Sequence, residues 1–374
     1  MSPDPPKSHW NTANQPAPDV PSSQALELEP EDRVLVTGAD GFIGSALTRL
    51  LIERGARVAA LVQPGAEHTN LDGLDVERVE GDLRDPEALQ KAADGARLVF
   101  HVAAIYRFWA PRRRDFYDVN VAGTRNMIAA ARRAACERFV YTSTVGTLGL
   151  DSTGAGIPAD EASFAYVDHL FGPYKQSKYV AEHEVLRAGA EGLPVVIVQP
   201  TTPVGPRDRA PTPTGRIVLD FMNGRLPAFV DTSLNVVHVD DVARGHLLAA
   251  EHGGLGRSYI LGGENLALRR ILALLAEGTG LPRPTISVPR GLAQAAARVS
   301  ELIEGGLLHR EPSVPLEAVR MSTTHMIFSD ARARRELGYT SRPVAEALTR
   351  AARWYADNGY ISSRRLARIR WAQG

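Results

Sequence analysis

A glycine-rich turn between a β-branched run and a helical pattern constrains the fold of this chain more than any other stretch. The run Val34-Leu-Val-Thr leads directly into Gly38-Ala-Asp-Gly41-Phe-Ile-Gly44. Gly38 permits a tight turn off a strand, Gly41 lets the backbone approach a pyrophosphate, and Gly44 allows a helix to pack closely on the strand. The first N–H groups of that helix would then face the phosphates. The stretch predicts the first βα unit of a dinucleotide-binding domain.

Composition narrows the class of protein. The chain has 374 residues, is 44% hydrophobic and carries a formal net charge of zero. It is long enough for one large domain or two coupled ones, and it has no net positive field that would favour nucleic acid. The single cysteine, Cys136, cannot form an internal disulfide or a cysteine zinc site, and no apolar run is long enough to span a membrane. We therefore expect a cytoplasmic protein with no metal and no nucleic-acid partner.

The pattern along the chain divides it into four segments. Residues 1–31 are rich in Pro, Ser, Asn and Asp, and we expect a disordered N-terminal tail. Strand and helix patterns alternate over 32–200, which predicts a Rossmann-type α/β domain with a doubly wound parallel sheet. Residues 201–360 are predicted to be mainly a smaller C-terminal substrate-binding region, with elements that return to the Rossmann domain. Residues 361–374 form a basic C-terminal tail.

Individual elements follow from hydrophobic periodicity and from the positions of Gly and Pro. The predicted strands are Arg33–Thr37, Arg57–Val62, Val76–Glu80, Leu98–Val102, Phe139–Thr142, Val195–Gln199 and Ser258–Leu261. The predicted helices cover residues 42–54, 86–93, 114–135, 173–189, 240–251, 267–279, 288–303 and 343–357.

Two further groups of side chains indicate the chemistry. Tyr174-Lys-Gln-Ser-Lys178 places a phenol and an ammonium on one face of a helix, and Tyr141-Thr-Ser-Thr144 ends a strand with hydroxyls. A secondary alcohol that loses hydride to a nicotinamide must also lose its hydroxyl proton. A phenol is a poor base near neutral pH, but an adjacent ammonium stabilises its phenolate, and a Ser or Thr hydroxyl can hold the substrate oxygen. Together with the glycine turn, this pattern favours catalysis over a solvated helix face.

With these motifs on one chain, the sequence resembles the extended short-chain dehydrogenase/reductase superfamily over roughly residues 32–360. It is most similar to the hopanoid-associated sugar epimerase group, which is itself similar to the dihydroflavonol reductases. The segments that carry this closer resemblance are His101-Val-Ala-Ala-Ile-Tyr-Arg-Phe-Trp-Ala110, Val195-Val-Ile-Val-Gln-Pro-Thr-Thr-Pro-Val-Gly-Pro-Arg-Asp208, Pro211-Thr-Pro-Thr-Gly-Arg216 and Tyr259-Ile-Leu-Gly-Gly-Glu-Asn265.

The resemblance implies roles for the hydroxyl, phenol and ammonium groups. Tyr174 would be the general acid/base, and Lys178 would activate it and bind the nicotinamide ribose. Thr144 stands at the position of the family's catalytic Ser/Thr and would bind the substrate oxygen, with Ser143 as a second candidate. Residues implied to contact the dinucleotide, besides Tyr174 and Lys178, are Gly38, Gly41, Phe42, Ile43, Gly44, Gln63, Asp82, Leu83, Ala103, Ala104, Pro200 and Thr202.

Two of these cofactor positions leave alternatives open. Asp82 matches the family's adenine-binding aspartate, but it could instead cap the helix that begins at Pro86. Gln63 ends the second strand, where an acid would favour NAD and an arginine would favour NADP. Because no acid there would repel a 2′-phosphate, we expect a slight preference for NADP, with NAD as the alternative.

Apolar side chains suggest the substrate class. Where nucleotide-sugar epimerases of the superfamily carry an Asn after the sixth strand, this chain reads Pro200-Thr-Thr-Pro203. The residues predicted to contact substrate are Tyr106, Trp109, Thr144 and Phe171, within a wider apolar set of Ile105, Phe108, Phe164, Tyr166 and Leu170. Core packing is the other explanation for that set. We expect a hydrophobic polycyclic or isoprenoid-derived alcohol or ketone, with a nucleotide-sugar epimerase that retains NAD and a non-catalytic dinucleotide sensor as the alternatives.

The remaining expectations concern partners. Arg364-Arg-Leu-Ala-Arg-Ile-Arg-Trp371 alternates basic and apolar residues, as a segment at a membrane surface would, although a short frayed helix with solvated arginines has the same pattern. The family resemblance implies a homodimer.

Overall fold

A parallel seven-stranded sheet forms the centre of the molecule. The computed structural model describes residues 26–107, 112–150, 156–300 and 325–372, together with 302 and 304. The strands of the sheet are β1 (Arg33–Thr37), β2 (Arg57–Val62), β3 (Glu77–Glu80), β4 (Leu98–His101), β5 (Arg138–Thr142), β6 (Val195–Pro200) and, after three strands that lie outside it, β10 (Ser258–Leu261). Their order is β10-β6-β5-β4-β1-β2-β3, and all the pairings are parallel.

The helices cover both faces of this sheet or form the smaller region beside it. In chain order they are α1 (Phe42–Glu53), α2 (Pro86–Ala93), α3 (Arg114–Tyr117), α4 (Gly123–Arg133), α5 (Pro173–Ala190), α6 (Pro213–Asn223), α7 (Val239–His252), α8 (Leu268–Thr279), α9 (Arg290–Ser300), α10 (Ala331–Leu337), α11 (Val344–Asp357) and α12 (Ser363–Leu366). A π-helical turn at Asp118–Ala122 joins α3 to α4.

Two hydrophobic cores explain why the strands are apolar almost throughout. Val34 and Val36 point into a core with α1, α7 and α10, whereas Leu35 between them points into a core with α2, α4 and α5. A strand buried on both faces has no polar side, so its sequence reads as a continuous apolar run. The doubly wound α/β fold predicted from the sequence is confirmed.

The strand order reverses beside β1, and this reversal locates the ligand crevice. The chain runs from β1 outward to β2 and β3, and then crosses to β4 on the other side of β1. In open α/β sheets, the crevice at the carboxyl ends of the strands around such a switch point is where ligands bind. The glycine turn after β1 and the loop after β4 both open at this edge.

Elements after residue 200 are divided between the sheet and a second layer. Strands β7 (Thr202–Val204), β9 (Ser233–His238) and β11 (Glu264–Ala267) form a small sheet, and β8 (Ala228–Phe229) pairs with β12 (Ile286–Ser287). Helices α6, α8 and α11 contribute to a third hydrophobic core. Helix α7 and strand β10, by contrast, return to the main sheet.

The described parts of both terminal segments are attached to the fold by a few buried residues. Leu26, within the stretch that composition assigned to a disordered tail, is buried, and its N–H donates to Glu251 O at 3.0 Å. In the basic C-terminal segment, Ile369 is buried and Arg365 Nε donates to Met222 O at 2.9 Å. Arg365 is therefore held by backbone carbonyls instead of being solvated on a frayed helix. Within the described ranges, no helix has both the length and the hydropathy needed to cross a membrane.

Candidate active site

The glycine turn leaves the start of α1 open. Gly38 has φ +65°, and a Cβ added there would lie 2.9 Å from Ala103 Cα, so the loop after β4 passes directly against the turn. A Cβ added at Gly44 would overlap Gly38 O. Gly41 is the N-cap of α1 and has no side chain to accept from the helix, which leaves the first N–H groups to an external acceptor. These features fit the pyrophosphate of a dinucleotide.

We expect Gly44→Ala to lower both folding stability and dinucleotide affinity. The added methyl group would overlap the backbone oxygen of Gly38, and such overpacking costs about 1–3 kcal/mol. Thermal unfolding and cofactor titration measure the two effects. Gly291→Ala in α9 is the control, because its Cβ would meet nothing within 4 Å. If Gly44→Ala has the same unfolding temperature and the same cofactor affinity as the control, the close-packing explanation is wrong.

A buried histidine joins the glycine turn to the neighbouring helix. Thr37 Oγ1 accepts from the backbone N–H groups of Val102 and Ala103, each at 3.1 Å, so its own proton is donated to His101 Nδ1 at 2.9 Å. His101 Nε2 must then carry the proton that it donates to Thr124 Oγ1 at 3.0 Å. Burial, together with the nearby Lys178 ammonium, lowers the pKa of His101 to about 3. The histidine is neutral at physiological pH and acts as a fixed connector.

Asn120, in the π-helical turn, connects the loop after β4 to α5. Its Oδ1 accepts from Ile105 N at 2.8 Å, and its Nδ2 donates to Ser177 Oγ at 3.0 Å. Ser177 in turn donates to Tyr174 O at 2.8 Å. The backbone of the tyrosine is therefore held to the loop that passes the glycine turn.

Tyr174 and Lys178 occupy the first turns of α5, as the sequence spacing predicts. Pro173 begins the helix, and the Tyr174 ring lies 4.9 Å from the Tyr106 ring between centroids. Lys178 is only 3% exposed; its Nζ donates to Thr142 O at 2.7 Å and lies 4.3 Å from the centre of the Tyr141 ring. Burial lowers the pKa of Lys178 to about 7, although attraction to Glu182 opposes the shift.

The two hydroxyl candidates after β5 have different surroundings. Ser143 is buried and donates to Glu182 Oε2. Thr144 is half-buried, and its Oγ1 accepts from Gly146 N at 3.1 Å, which leaves its hydroxyl proton available for a substrate oxygen. A Cβ added at Gly146 would lie 3.4 Å from Lys175 Cγ, so this turn packs directly against the residue that follows Tyr174.

Around Asp82 and the glycine turn, the structure excludes one alternative and adds a contact that the sequence analysis missed. The cap of α2 is Asp85, which accepts from Glu87 N and Ala88 N, so the helix-cap explanation for Asp82 is wrong. Asp82 is instead bound by Arg84, whose hydrogen bonds lower the pKa of the carboxyl.

The missed contact is made by Asp40, inside the glycine turn. Its Oδ2 lies 2.9 Å from His68 Nδ1, and its backbone oxygen accepts from Asn70 Nδ2 at 2.9 Å. The loop after β2 therefore lies on the turn, and exposed Gln63 begins that loop. The sequence signal for this contact was the carboxylate of Asp40 itself, because a negative charge in a turn that would bind phosphate calls for a partner such as His68.

Other predicted cofactor positions border the same crevice. Pro200 ends β6, and Thr202, at the start of β7, has a buried Oγ1 for which the described residues provide no partner. An orphaned hydroxyl of this kind fits a polar ligand group. Leu83 is buried against α4, where a Cβ added at Gly123 would lie 2.7 Å from its own Cβ. Ala104 lies in the loop after β4 and is exposed.

The apolar set is largely accessible and is therefore not simple core. Tyr106 and Phe171 are each 40% exposed, Phe164 and Tyr166 are more so, and Leu170 alone of those described is fully buried. Trp109 and Phe108 lie outside the described residues. Across the part of the chain that the structure describes, no cluster of three or more His, Cys, Asp or Glu side chains could hold a metal ion.

Comparisons with known proteins identify the relatives of this chain. A model of the NAD dependent epimerase/dehydratase family matches residues 34–262. A Synechocystis sp. protein that carries a provisional dihydroflavonol 4-reductase name is 44% identical, over 89% of this chain and 97% of the relative. Sterol demethylase protein B of Methylococcus capsulatus is 36% identical, over 87% of this chain and 99% of the relative. The crystal structure of gox2253 is 45% identical with a TM-score of 0.79, and the match covers 89% of this chain and 100% of that one.

Proposed function

Because the chain belongs to the NAD-dependent epimerase/dehydratase family of the extended short-chain dehydrogenases/reductases, and is an NAD(P)-dependent oxidoreductase, we propose that it interconverts a secondary alcohol and a ketone on an apolar substrate. The observation that carries the proposal is the placement of Tyr174 and Lys178 on α5 beside the turn that bears Thr144. A phenol, an ammonium and a hydroxyl donor then border one crevice of a dinucleotide-binding sheet.

Each of these three side chains has one task in the proposed reaction. The coenzyme, when bound, accepts or supplies hydride at its nicotinamide ring. Tyr174 gives its phenolic proton to the ketone oxygen in reduction and takes a proton from the alcohol in oxidation. Thr144 donates a hydrogen bond from its hydroxyl to the same oxygen and keeps its proton, while its Oγ1 accepts from Gly146 N. Lys178 stabilises the phenolate form of Tyr174 and binds a ribose hydroxyl.

The proposed binding of the dinucleotide uses the glycine turn and three loops. The N–H groups of the first turn of α1, from Phe42, Ile43 and Gly44, would donate to the pyrophosphate oxygens. Asp82 and Leu83 would meet the adenine, Ala103 and Ala104 would run beside the coenzyme, and Pro200 and Thr202 would lie near the nicotinamide.

Exposed aromatic side chains support an apolar substrate. Tyr106 lies against Tyr174, and Phe171 lies two residues before the start of α5 and is as exposed as Tyr106. Flat aromatic surfaces next to a proton donor suit a polycyclic or isoprenoid-derived ketone. One relative that covers nearly the same length is named for sterol demethylation. An epimerase that retains NAD is the second candidate, because the family description includes epimerases.

The decisive experiment follows the near-ultraviolet absorbance of the reduced coenzyme. Purified protein is tested with NAD, NADP and their reduced forms against hydroxysteroid or triterpenoid alcohols and ketones, and separately against UDP-sugars. Net oxidation or reduction of coenzyme with a polycyclic substrate supports the proposal. Conversion of a UDP-sugar to its epimer without net coenzyme change would replace it with the epimerase.

We further propose a slight preference for NADP over NAD, and expect Gln63→Arg to strengthen it. An arginine at the end of β2 can pair with a 2′-phosphate, and a charge-assisted hydrogen bond contributes about 1.5–3 kcal/mol, or roughly tenfold or more in affinity. Titration with both dinucleotides gives the ratio of dissociation constants. Gln63→Met, which has similar length and no charge, should leave that ratio unchanged. If the ratio of the two dissociation constants is unchanged in Gln63→Arg, the 2′-phosphate does not lie beside residue 63.

A further inference from the structure

A buried carboxylate lies one helical turn beyond Lys178, on the same face of α5. Glu182 accepts hydrogen bonds from Ser143 Oγ, from Thr147 Oγ1 at 3.0 Å and from Gln199 Nε2 at 3.2 Å. The carboxylate is therefore surrounded by donors from β6, from the residue that follows β5 and from the turn after Thr144. A carboxylate is costly to bury unless it is hydrogen-bonded and near a cation, and Glu182 has three donors and Lys178 one turn away.

The contacts of Glu182 fix three elements relative to one another. Ser143 follows the last residue of β5 and directly precedes Thr144, Thr147 lies in the turn that follows Thr144, and Gln199 belongs to β6. The Glu182 side chain thus holds both sides of the Thr144 turn against α5. A displacement of about 1 Å between such groups can reduce catalysis a hundredfold, so this attachment bears directly on activity.

Electrostatics gives Glu182 a second effect on the same site. Lys178 is buried, and its ammonium donates to Thr142 O and lies over the Tyr141 ring on β5. The titratable groups that interact with its charge are His101 on β4 and Glu182 on α5 itself. His101 is neutral, as its proton arrangement requires. Glu182 is therefore the negative charge that opposes the loss of the Lys178 proton on burial.

We propose that Glu182 is a positioning residue, which holds the Thr144 hydroxyl and keeps Lys178 in its ammonium form for Tyr174 and the coenzyme. The expected effect of Glu182 on turnover rests on the proposed alcohol–ketone function. Its effect on coenzyme binding does not need a substrate. The functional pattern Tyr174-x-x-x-Lys178 would then include a further residue, Glu182, which lies one helical turn beyond Lys178 on α5.

The first test is the pH dependence of coenzyme binding by Glu182→Gln. Glutamine keeps the shape of the side chain and removes its charge, so we expect the pH midpoint of binding to move to lower pH by about one unit. Above the wild-type midpoint the dissociation constant should then exceed the wild-type value on the order of tenfold, and below it the two proteins should converge. Glu191→Gln, at the exposed end of the same helix, is the control and should bind like the wild type.

The second test separates positioning from charge. Thr147→Val removes one contact to Glu182, together with the contact of the same hydroxyl to Thr144 O at 2.8 Å, but leaves the carboxylate. Because both contacts hold the Thr144 turn, kcat for the ketone should fall severalfold while the pH midpoint of coenzyme binding stays in place. An unshifted pH midpoint of coenzyme binding in a folded Glu182→Gln protein would overturn the charge effect on Lys178. An unchanged kcat in Thr147→Val would overturn the positioning of the Thr144 turn. If Glu182→Gln does not fold, Thr147→Val still decides the positioning role. If the wild type turns over no ketone, the proposed function fails. The pH midpoint of coenzyme binding still decides whether Glu182 keeps Lys178 in its ammonium form.

Discussion

Tyr174→Phe should lower kcat by about 10²–10⁴-fold while coenzyme affinity stays near the wild-type value. The substitution removes only the phenolic oxygen, so the ring can keep its contact with Tyr106 and its place in the first turn of α5. Hydride transfer to a ketone would then leave an alkoxide without its proton donor. Steady-state kinetics with the best ketone from the substrate panel, together with coenzyme titration by fluorescence, measures both quantities.

A matched variant on the same helix controls for loss of a phenol in general. Tyr179 packs on His183 with ring centroids 4.2 Å apart and has no place in the proposed chemistry. Tyr179→Phe should therefore turn over like the wild type. If Tyr174→Phe retains most of its kcat, Tyr174 is not the acid/base, and another donor protonates the substrate oxygen.

The main sheet was predictable because its signals are local. The strand β1 and the helix α1 follow from an apolar run, three glycines and a helical period, and the structure places them within one residue of the expected bounds. The sequence also separates Tyr174 and Lys178 by one helical turn, which brings them to the same face without any long-range information.

The second sheet was not predicted, because its strands are short and pair over long distances in sequence. Thr202–Val204 comprises three residues beside prolines and pairs with a strand more than thirty residues later. The helix α6 was also missed, since Pro213 within a Pro- and Thr-rich stretch resembles a loop. In the structure Pro213 occupies the first helical turn and Thr212 caps it by accepting from Gly215 N at 3.1 Å.

Side-chain partners inside the site were harder to foresee than its principal residues. The contact between Asp40 and His68 depends on the path of the loop after β2, which no periodicity encodes. Glu182 had a signal, because it continues the helical spacing from Tyr174 through Lys178. What the sequence could not show is that the residue after β5, the turn that follows it and β6 all direct donors at it.

Lys178→Met should weaken both coenzyme binding and turnover. Methionine preserves the apolar stem and removes the ammonium, so the ribose loses a charge-assisted donor worth about 1.5–3 kcal/mol, or roughly 10–100-fold in affinity. The phenolate of Tyr174 also loses its stabilising cation, and we expect kcat to fall by about 10²-fold or more. Coenzyme titration and steady-state kinetics separate these effects, and thermal unfolding shows whether leaving Glu182 without a cation costs stability.

The pH dependence distinguishes an ammonium from a merely structural lysine. Burial lowers the pKa of Lys178 to about 7, so the ammonium is present below that pH and is lost as the pH rises through it. Wild-type coenzyme affinity should accordingly be highest below the midpoint and decline above it, because the coenzyme binds the protonated form more tightly. Lys178→Met has no such group to titrate, and its affinity should show no midpoint in this range. The same midpoint in both proteins would assign the titration to another group and remove the ribose role from Lys178.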